Sequence, residues 1–351
     1  MKKFLIIQQK MIGDVLTSSS LCTYIKNKDQ SSIVHYLINE STKDVVLHHP
    51  DIDKLILLKK NKESSIPYLV KIGLLLRKEK YDVVFDVYAK LSSNLISLLT
   101  NADIKIGYKK SYSSFIYHRT ISRTKDHLAL EANTALKDRE KLLRAYFNEK
   151  SIELPKPTIF LTEVEKNDAG KLLEEAGLNS TNPILMIAVL GSSDAKTYPL
   201  DYMAHILDHL HETLPKAQII FNYIPNQLEQ VNQLYYACKT STQNAVIRDV
   251  YGKSIREFLA LLSHCDALIG NEGGAVNMAK ALEVPTFSIF SPQISKEAWS
   301  LFENEQNYAI HVNDVLSAEE KRRLTNNELY SNFTPQRIIP LLNKFIALNL
   351  T

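Results

Sequence analysis

Phe4-Leu5-Ile6-Ile7-Gln8-Gln9-Lys10-Met11-Ile12-Gly13-Asp14-Val15-Leu16-Thr17 is the stretch on which the fold turns. Four apolar residues in succession read as a buried strand of a parallel sheet. Polar residues then break the run, and Gly13-Asp14 leads into a helix. Met1-Lys2-Lys3 gives the chain a basic start, but Gln8, Gln9 and Lys10 interrupt it before a signal-peptide apolar core can form. The N-terminus is therefore expected to be a first strand, and the protein to be intracellular.

Outward from this stretch, short apolar runs alternate with helical periodicity, as expected of parallel sheets with covering helices. Strands are predicted at Phe4–Ile7, Ile33–Ile38, Leu55–Leu58, Val83–Val87 and near Ile104, with a helix from Tyr68 to Lys80. A long helix is predicted from Leu128 to Phe147, its apolar face made by Leu128, Ala132, Ala135, Leu136, Leu142, Leu143, Tyr146 and Phe147. Pro155 and Pro157 mark a linker, after which the alternation restarts. The second set of strands is predicted at Ile184–Leu190, Gln218–Tyr223, Ala245–Arg248, Ala267–Ile269 and Thr286–Phe290, and a last helix follows Pro335. Two successive α/β units of similar length are the simplest organisation.

The 351 residues are ample for two cores, and 45% hydrophobic with 23% charged residues is ordinary globular composition. No apolar run reaches the roughly 18 residues of a membrane span. Cys22, Cys238 and Cys265 are scattered among apolar neighbours, which fits small core residues and not a disulfide frame or zinc site. Net charge is +3, unevenly spread: residues 1–130 carry 21 Lys/Arg against 12 Asp/Glu, the remainder 21 against 27. The basic half predicts an anionic partner, a phosphorylated molecule or an acidic membrane surface, unless it is simply a solvated lysine-rich face.

Three strand ends carry the candidate chemistry. After the first strand, Gly13 permits close backbone approach and Asp14 stands at the helix N-terminus, as an active carboxylate or as a helix N-cap. After Ile184–Leu190 comes Gly191-Ser192-Ser193-Asp194-Ala195-Lys196-Thr197-Tyr198-Pro199. Its exposed amides, two hydroxyls and ammonium suit a phosphate, although the P-loop spacing is absent. The third is Ile269-Gly270-Asn271-Glu272-Gly273-Gly274, running into a helix that begins near Ala275. A diglycine beside helix N-terminal amides makes a diphosphate cradle, with Glu272 also readable as a helix-dipole charge. His205, His209 and His211 lack a metal-binding pattern and read as a solvated face, Lys59-Lys60-Asn61-Lys62 as surface, and Trp299 as packing.

In order and spacing these elements resemble glycosyltransferase family nine, the ADP-heptose–lipopolysaccharide heptosyltransferases, over nearly the whole chain. Ile12-Gly13-Asp14-Val15 is similar to the family's opening Gly-Asp motif, and Asp86-Val87 and Ile106-Gly107-Tyr108 to two later landmarks. Lys196-Thr197-Tyr198-Pro199 resembles its Lys-x-Trp-Pro motif, with Tyr198 in place of tryptophan. Asn271 to Leu282, with Pro285 and Phe290-Ser291-Pro292, resembles its C-terminal signature. Glu272 stands where the family usually has aspartate, and Asn277 where it usually has histidine.

The resemblance implies an α/β GT-B fold, two Rossmann-like domains facing a central cleft. It implies an acceptor-binding domain over residues 1–160, a nucleotide-sugar domain over 161–333, and a helix at 334–351 crossing back to the first domain. It implies an inverting transfer, without metal or other cofactor, of heptose from ADP-heptose to a lipopolysaccharide core acceptor. Asp14 would be the general base. Ser192, Ser193, Lys196, Glu272, Gly273, Gly274 and Asn277 would face the donor. Lys10, Lys59, Lys60 and Lys62 would face an anionic, lipid-linked acceptor. The expected setting is cytoplasmic and peripheral, at the inner face of the membrane, with no nucleic-acid partner. Another nucleotide sugar serving surface polysaccharide, or a non-catalytic glycan-binding relative, are the alternatives.

Overall fold

The computed structural model describes residues 1–124 and 134–350. These form two compact units, Met1–Phe160 and Leu161–Thr351.

The first unit is a six-stranded sheet of β1 (Lys3–Ile7), β2 (Ile33–Asn39), β3 (Lys54–Leu58), β4 (Val83–Asp86), β5 (Ile104–Tyr108) and β6 (Arg119–Ile121). All pairs are parallel, in the order β3-β2-β1-β4-β5-β6. Helices cover both faces of such a sheet, so its central strands are continuous apolar runs. Phe4, Leu5, Ile6 and Ile7 of β1 and Val83, Val84 and Phe85 of β4 are all buried. β6 is missing from the sequence reading because Arg119-Thr120-Ile121 leaves no apolar run to detect.

Among the helices, α1 (Ile12–Lys28) follows β1, α2 (Ile66–Arg77) follows β3, and α3 (Leu91–Leu99) follows β4. The helix expected from Leu128 is described from Thr134, as α4 (Thr134–Phe147), with Leu142 and Leu143 buried. Leu128 and Ala132 lie outside the described residues.

The second unit repeats the plan with β7 (Ile184–Ala188), β8 (Gln218–Asn222), β9 (Val246–Ile247), β10 (Ala267–Asn271), β11 (Thr286–Ile289) and β12 (Asn307–Ile310), ordered β12-β11-β10-β7-β8-β9 and parallel throughout. Both sheets thus have the doubly wound order in which strand direction of travel reverses beside the first strand, at β1/β4 and at β7/β10. β12, whose apolar residues are Tyr308, Ala309 and Ile310, also went unread in the sequence. Thr162 starts the unit's first helix, α5 (Glu163–Glu175), by a reciprocal cap: Thr162 N–H donates to Glu165 Oε2 at 2.8 Å, and Glu165 N–H to Thr162 Oγ1 at 3.2 Å. α6 (Leu200–Thr213) follows the Lys196 loop.

The last helix, Pro335–Asn349, which the resemblance sends back to the first domain, lays Ile338, Leu342, Phe345 and Ile346 into the core of the second sheet. The three cysteines are buried and unbridged. Trp299, expected to pack, is 52% exposed, on a helix of four residues of which none is buried. No helix among the described residues is long and apolar enough to cross a membrane.

Candidate active site

Open α/β sheets bind ligands beyond the carboxyl ends of their strands, where the winding reverses. In the first unit that place is the end of β1. Met11 is the N-cap of α1, so Asp14 stands at the third helical position and is not itself the cap. Its Oδ2 lies 3.4 Å from the Met11 N–H. Its Oδ1 accepts a 2.9 Å hydrogen bond from Nη2 of Arg139, on α4. The guanidinium is buried and held on further sides: Nε donates to Ser18 Oγ at 2.8 Å, Nη1 to the Ala135 carbonyl at 2.8 Å, and Nη2 to the Asp14 carbonyl at 3.3 Å. The Asp14 side chain keeps 33% exposure. The carboxylate is held firmly on Oδ1 by Arg139 and loosely on Oδ2 by the Met11 amide, with part of the side chain open to solvent.

Arg139 was missed in the sequence. Its signal was there: Ala135, Arg139, Leu142, Leu143 and Tyr146 share one helical stripe, and a cation on an apolar stripe requires a buried partner.

Of the four lysines expected to face an acceptor, Lys10 is committed elsewhere. Its Nζ lies 2.5 Å from Glu63 Oε1, and the pair holds the lysine above and the glutamate below their ordinary ranges. Lys59, Lys60 and Lys62 stand exposed on the turn after β3, and none is in an ion pair among the described residues.

The two landmarks of the first domain prove to be one device. Asp86, at the end of β4, is fully buried; burial pushes its carboxyl up, and hydrogen bonds oppose the shift. It accepts from the Ala89 N–H at 2.7 Å, Ser97 Oγ at 3.1 Å and the Tyr117 hydroxyl at 2.6 Å. Gly107 makes the last bond feasible, since a Cβ there would sit 2.6 Å from the Tyr117 ring. The network pins the loop after β4, and Ser92 beyond it donates to Gln9 Oε1 at 2.7 Å, next to the Asp14 turn.

In the second unit the corresponding place joins the ends of β7 and β10. Asn271 is buried and holds it: its Nδ2 donates to the Ala188 and Val189 carbonyls at 3.1 and 2.7 Å, and its Oδ1 accepts from the Tyr198 N–H at 2.7 Å. Gly270 lies at φ 131°, where a Cβ would meet the Ala188 carbonyl oxygen at 2.4 Å. Tyr198, the tyrosine in the tryptophan position, is buried against Phe333 and donates its hydroxyl to the Phe333 carbonyl at 2.6 Å.

Held in this frame, the polar groups of the loop stay open. Ser192 and Ser193 are exposed, Lys196 is half-buried, and none of these side chains has a hydrogen-bond or ion-pair partner among the described residues. Burial pushes the Glu272 carboxyl up while the nearby Lys196 charge pulls it down. Gly273 caps the helix Gly274–Ala281, whose first amides have no intrahelical partner, and Asn277 sits in its first turn. Ser291, at the end of β11, donates to the Ala195 carbonyl at 3.3 Å and so joins a third strand end to the same loop. The arrangement presents an ammonium, two hydroxyls and helix amides to an anion.

His209 Nε2 pairs with Asn343 Oδ1 at 2.6 Å. Among the described residues no group of three His, Cys, Asp or Glu side chains is placed to hold a metal.

The fold is similar to that of a glycosyl transferase family 9 protein of Veillonella parvula, with a TM-score of 0.82 at 16% identity, covering 99% of this chain and 97% of that one. It is similar also to Escherichia coli ADP-heptose lipopolysaccharide heptosyltransferase II, with a TM-score of 0.74 at 18% identity and 99% of both chains covered. Two doubly wound sheets of this order, with these neighbours, are a GT-B fold. In sequence the chain is 23% identical to lipopolysaccharide heptosyltransferase 1 of Campylobacter coli over 293 residues, 82% of this chain and 83% of that one. The model of glycosyltransferase family 9 (heptosyltransferase) matches residues 69–330, and the chain belongs to that family.

Proposed function

We propose that the protein transfers heptose from ADP-heptose to a lipopolysaccharide core acceptor, with inversion and without a metal. The observation that carries the reading is the set of open donors at the β7/β10 switch point. Lys196, Ser192, Ser193 and the amides at Gly273 and Gly274 suit the diphosphate of a nucleotide sugar, with Glu272 and Asn277 beside them. A cavity of about 470 Å³ at the ends of β8 and β9 has the size for the nucleoside. Tyr223 and Tyr251 line it, their rings stacked at 5.4 Å. Gln230, on the neighbouring helix, donates to Asp194 of the Lys196 loop at 3.1 Å, so cavity and loop adjoin. The names of the relatives favour ADP-heptose over other donors.

In the reaction the acceptor oxygen attacks the anomeric carbon while the bond from that carbon to the diphosphate oxygen breaks. The nucleoside diphosphate leaves with the bonding pair, its growing charge met by Lys196 and the helix amides. Asp14 takes the acceptor's proton. Lys59, Lys60 and Lys62 attract the anionic acceptor, and Lys10 contributes by fixing the turn through Glu63. Exposed Met11 and Ile66 beside these lysines favour peripheral attachment to an acidic membrane face, in the cytoplasm.

The direct test is a turnover screen with ADP-, UDP-, GDP- and CMP-sugars on heptose-free lipopolysaccharide. ADP-heptose should be the preferred donor. A UDP or GDP preference overturns the donor assignment, and no transfer from any of them favours a non-catalytic binder.

A further inference from the structure

We propose that Arg139 is a positioning residue for catalysis, acting through the Asp14 carboxylate; this rests on the reading of Asp14 as the base. Arg139 belongs to α4, 125 positions from Asp14 in the chain, yet its guanidinium supplies the closest hydrogen bond to that carboxylate. Only 5% of the residue is exposed. A buried cation needs a partner, and the ion pair to Asp14 supplies it.

The fork is itself immobilised before it reaches Asp14. Ser18 Oγ holds Nε, and the Ala135 carbonyl holds Nη1. Ser18 is fully buried, and its small side chain on α1 leaves room for the guanidinium. Nη2 then bonds both the carbonyl and the carboxylate of Asp14, which fixes the side chain relative to its own backbone. An aspartate on a helix otherwise samples several rotamers. With Oδ1 held by Arg139 at 2.9 Å and Oδ2 approached only by the Met11 N–H at 3.4 Å, Oδ2 is the freer oxygen to receive a proton, and its direction is set. Lysine can replace the charge but not the fork.

The test is a kinetic double-mutant cycle on the full chain, with Arg139→Met, Arg139→Lys and Asp14→Asn alone and Arg139→Met combined with Asp14→Asn. Arg139→Met should lower kcat by about tenfold or more with the donor KM little changed, and Arg139→Lys should recover only part of the loss. Combined with Asp14→Asn, Arg139→Met should cost less than about twofold further, because the group it positions is gone. Additive losses mean a role independent of Asp14 and overturn the proposal, as does wild-type kcat in Arg139→Met. Should Arg139→Met fold poorly, Arg139→Ala assayed with added guanidinium decides: kcat should rise with guanidinium in that variant and not in the wild type, and no rise overturns the proposal. An active Asp14→Asn refutes the base assignment itself, a different outcome from an inactive Asp14→Asn beside fully active Arg139 variants.

Discussion

Around Asp14, at the carboxyl edge of the first sheet, polar side chains are bonded to one another, while Lys59, Lys60 and Lys62 beyond β3 stay open. Arg139 holds Asp14, Glu63 holds Lys10, Ser92 holds Gln9, and Tyr117 holds Asp86. At the corresponding edge of the second sheet the bonds belong to the frame. Asn271 and Tyr198 fix the loop, while Lys196, Ser192 and Ser193 are left without partners among the described residues. On the proposed reading the same strand order supports two kinds of site. A group that must accept a proton along one direction benefits from a fixed rotamer before substrate arrives. Groups that must neutralise a diphosphate keep their donors open until the anion supplies the acceptors.

The comparison breaks first at Asp14. Asparagine in its place keeps the size and the contact to Arg139 but removes the proton acceptor. Turnover of Asp14→Asn should fall by about a hundredfold or more at saturating donor and acceptor, read in a steady-state transfer assay. Turnover within a few-fold of wild type would make the first edge a structural feature alone.

A smaller effect sharpens the contrast in charge. The lysines on the turn after β3 should bring the full chain to vesicles containing acidic lipid, and the binding should weaken steeply as salt rises. Triple replacement of Lys59, Lys60 and Lys62 by glutamine should abolish most of that salt dependence in a sedimentation assay. Salt-independent binding, or equal binding to neutral vesicles, counts against a basic docking face.

The smallest effect concerns the frame of the second edge. Tyr198→Phe removes the hydroxyl from the buried Phe333 carbonyl, and should cost roughly 1–2 kcal/mol in a denaturation experiment. Donor affinity should change little, because the Tyr198 N–H to Asn271 remains. A large loss of donor affinity with unchanged stability would move Tyr198 from the frame into the site.

Much of this was legible in the sequence for physical reasons. Central parallel strands such as Phe4–Ile7 and Val83–Val87 must be apolar throughout, so they announce themselves. Gly191 and Gly270 marked the second edge because close backbone approach there leaves no room for a Cβ. What escaped depends on distance along the chain. Nothing near Asp14 points to Arg139, and only the misplaced cation on the apolar stripe of α4 hinted that a partner existed. The strand β6 escaped because Arg119-Thr120-Ile121 holds a single apolar residue. Lys10 was read with the other lysines because charge composition does not distinguish a paired cation from an open one. Asp86 and Gly107 were recognised as landmarks, but their joint purpose needed the Tyr117 ring to lie between them.

The division of labour between the two edges is tested most directly by the affinity for ADP, measured by titration calorimetry on wild type, Asp14→Asn and Lys196→Ala. ADP carries the diphosphate but is not the acceptor whose hydroxyl Asp14 would deprotonate. Its binding should therefore be within about twofold of wild type in Asp14→Asn and weaker by about tenfold or more in Lys196→Ala. Unchanged affinity in Lys196→Ala, or an equal loss in both variants, would contradict the account.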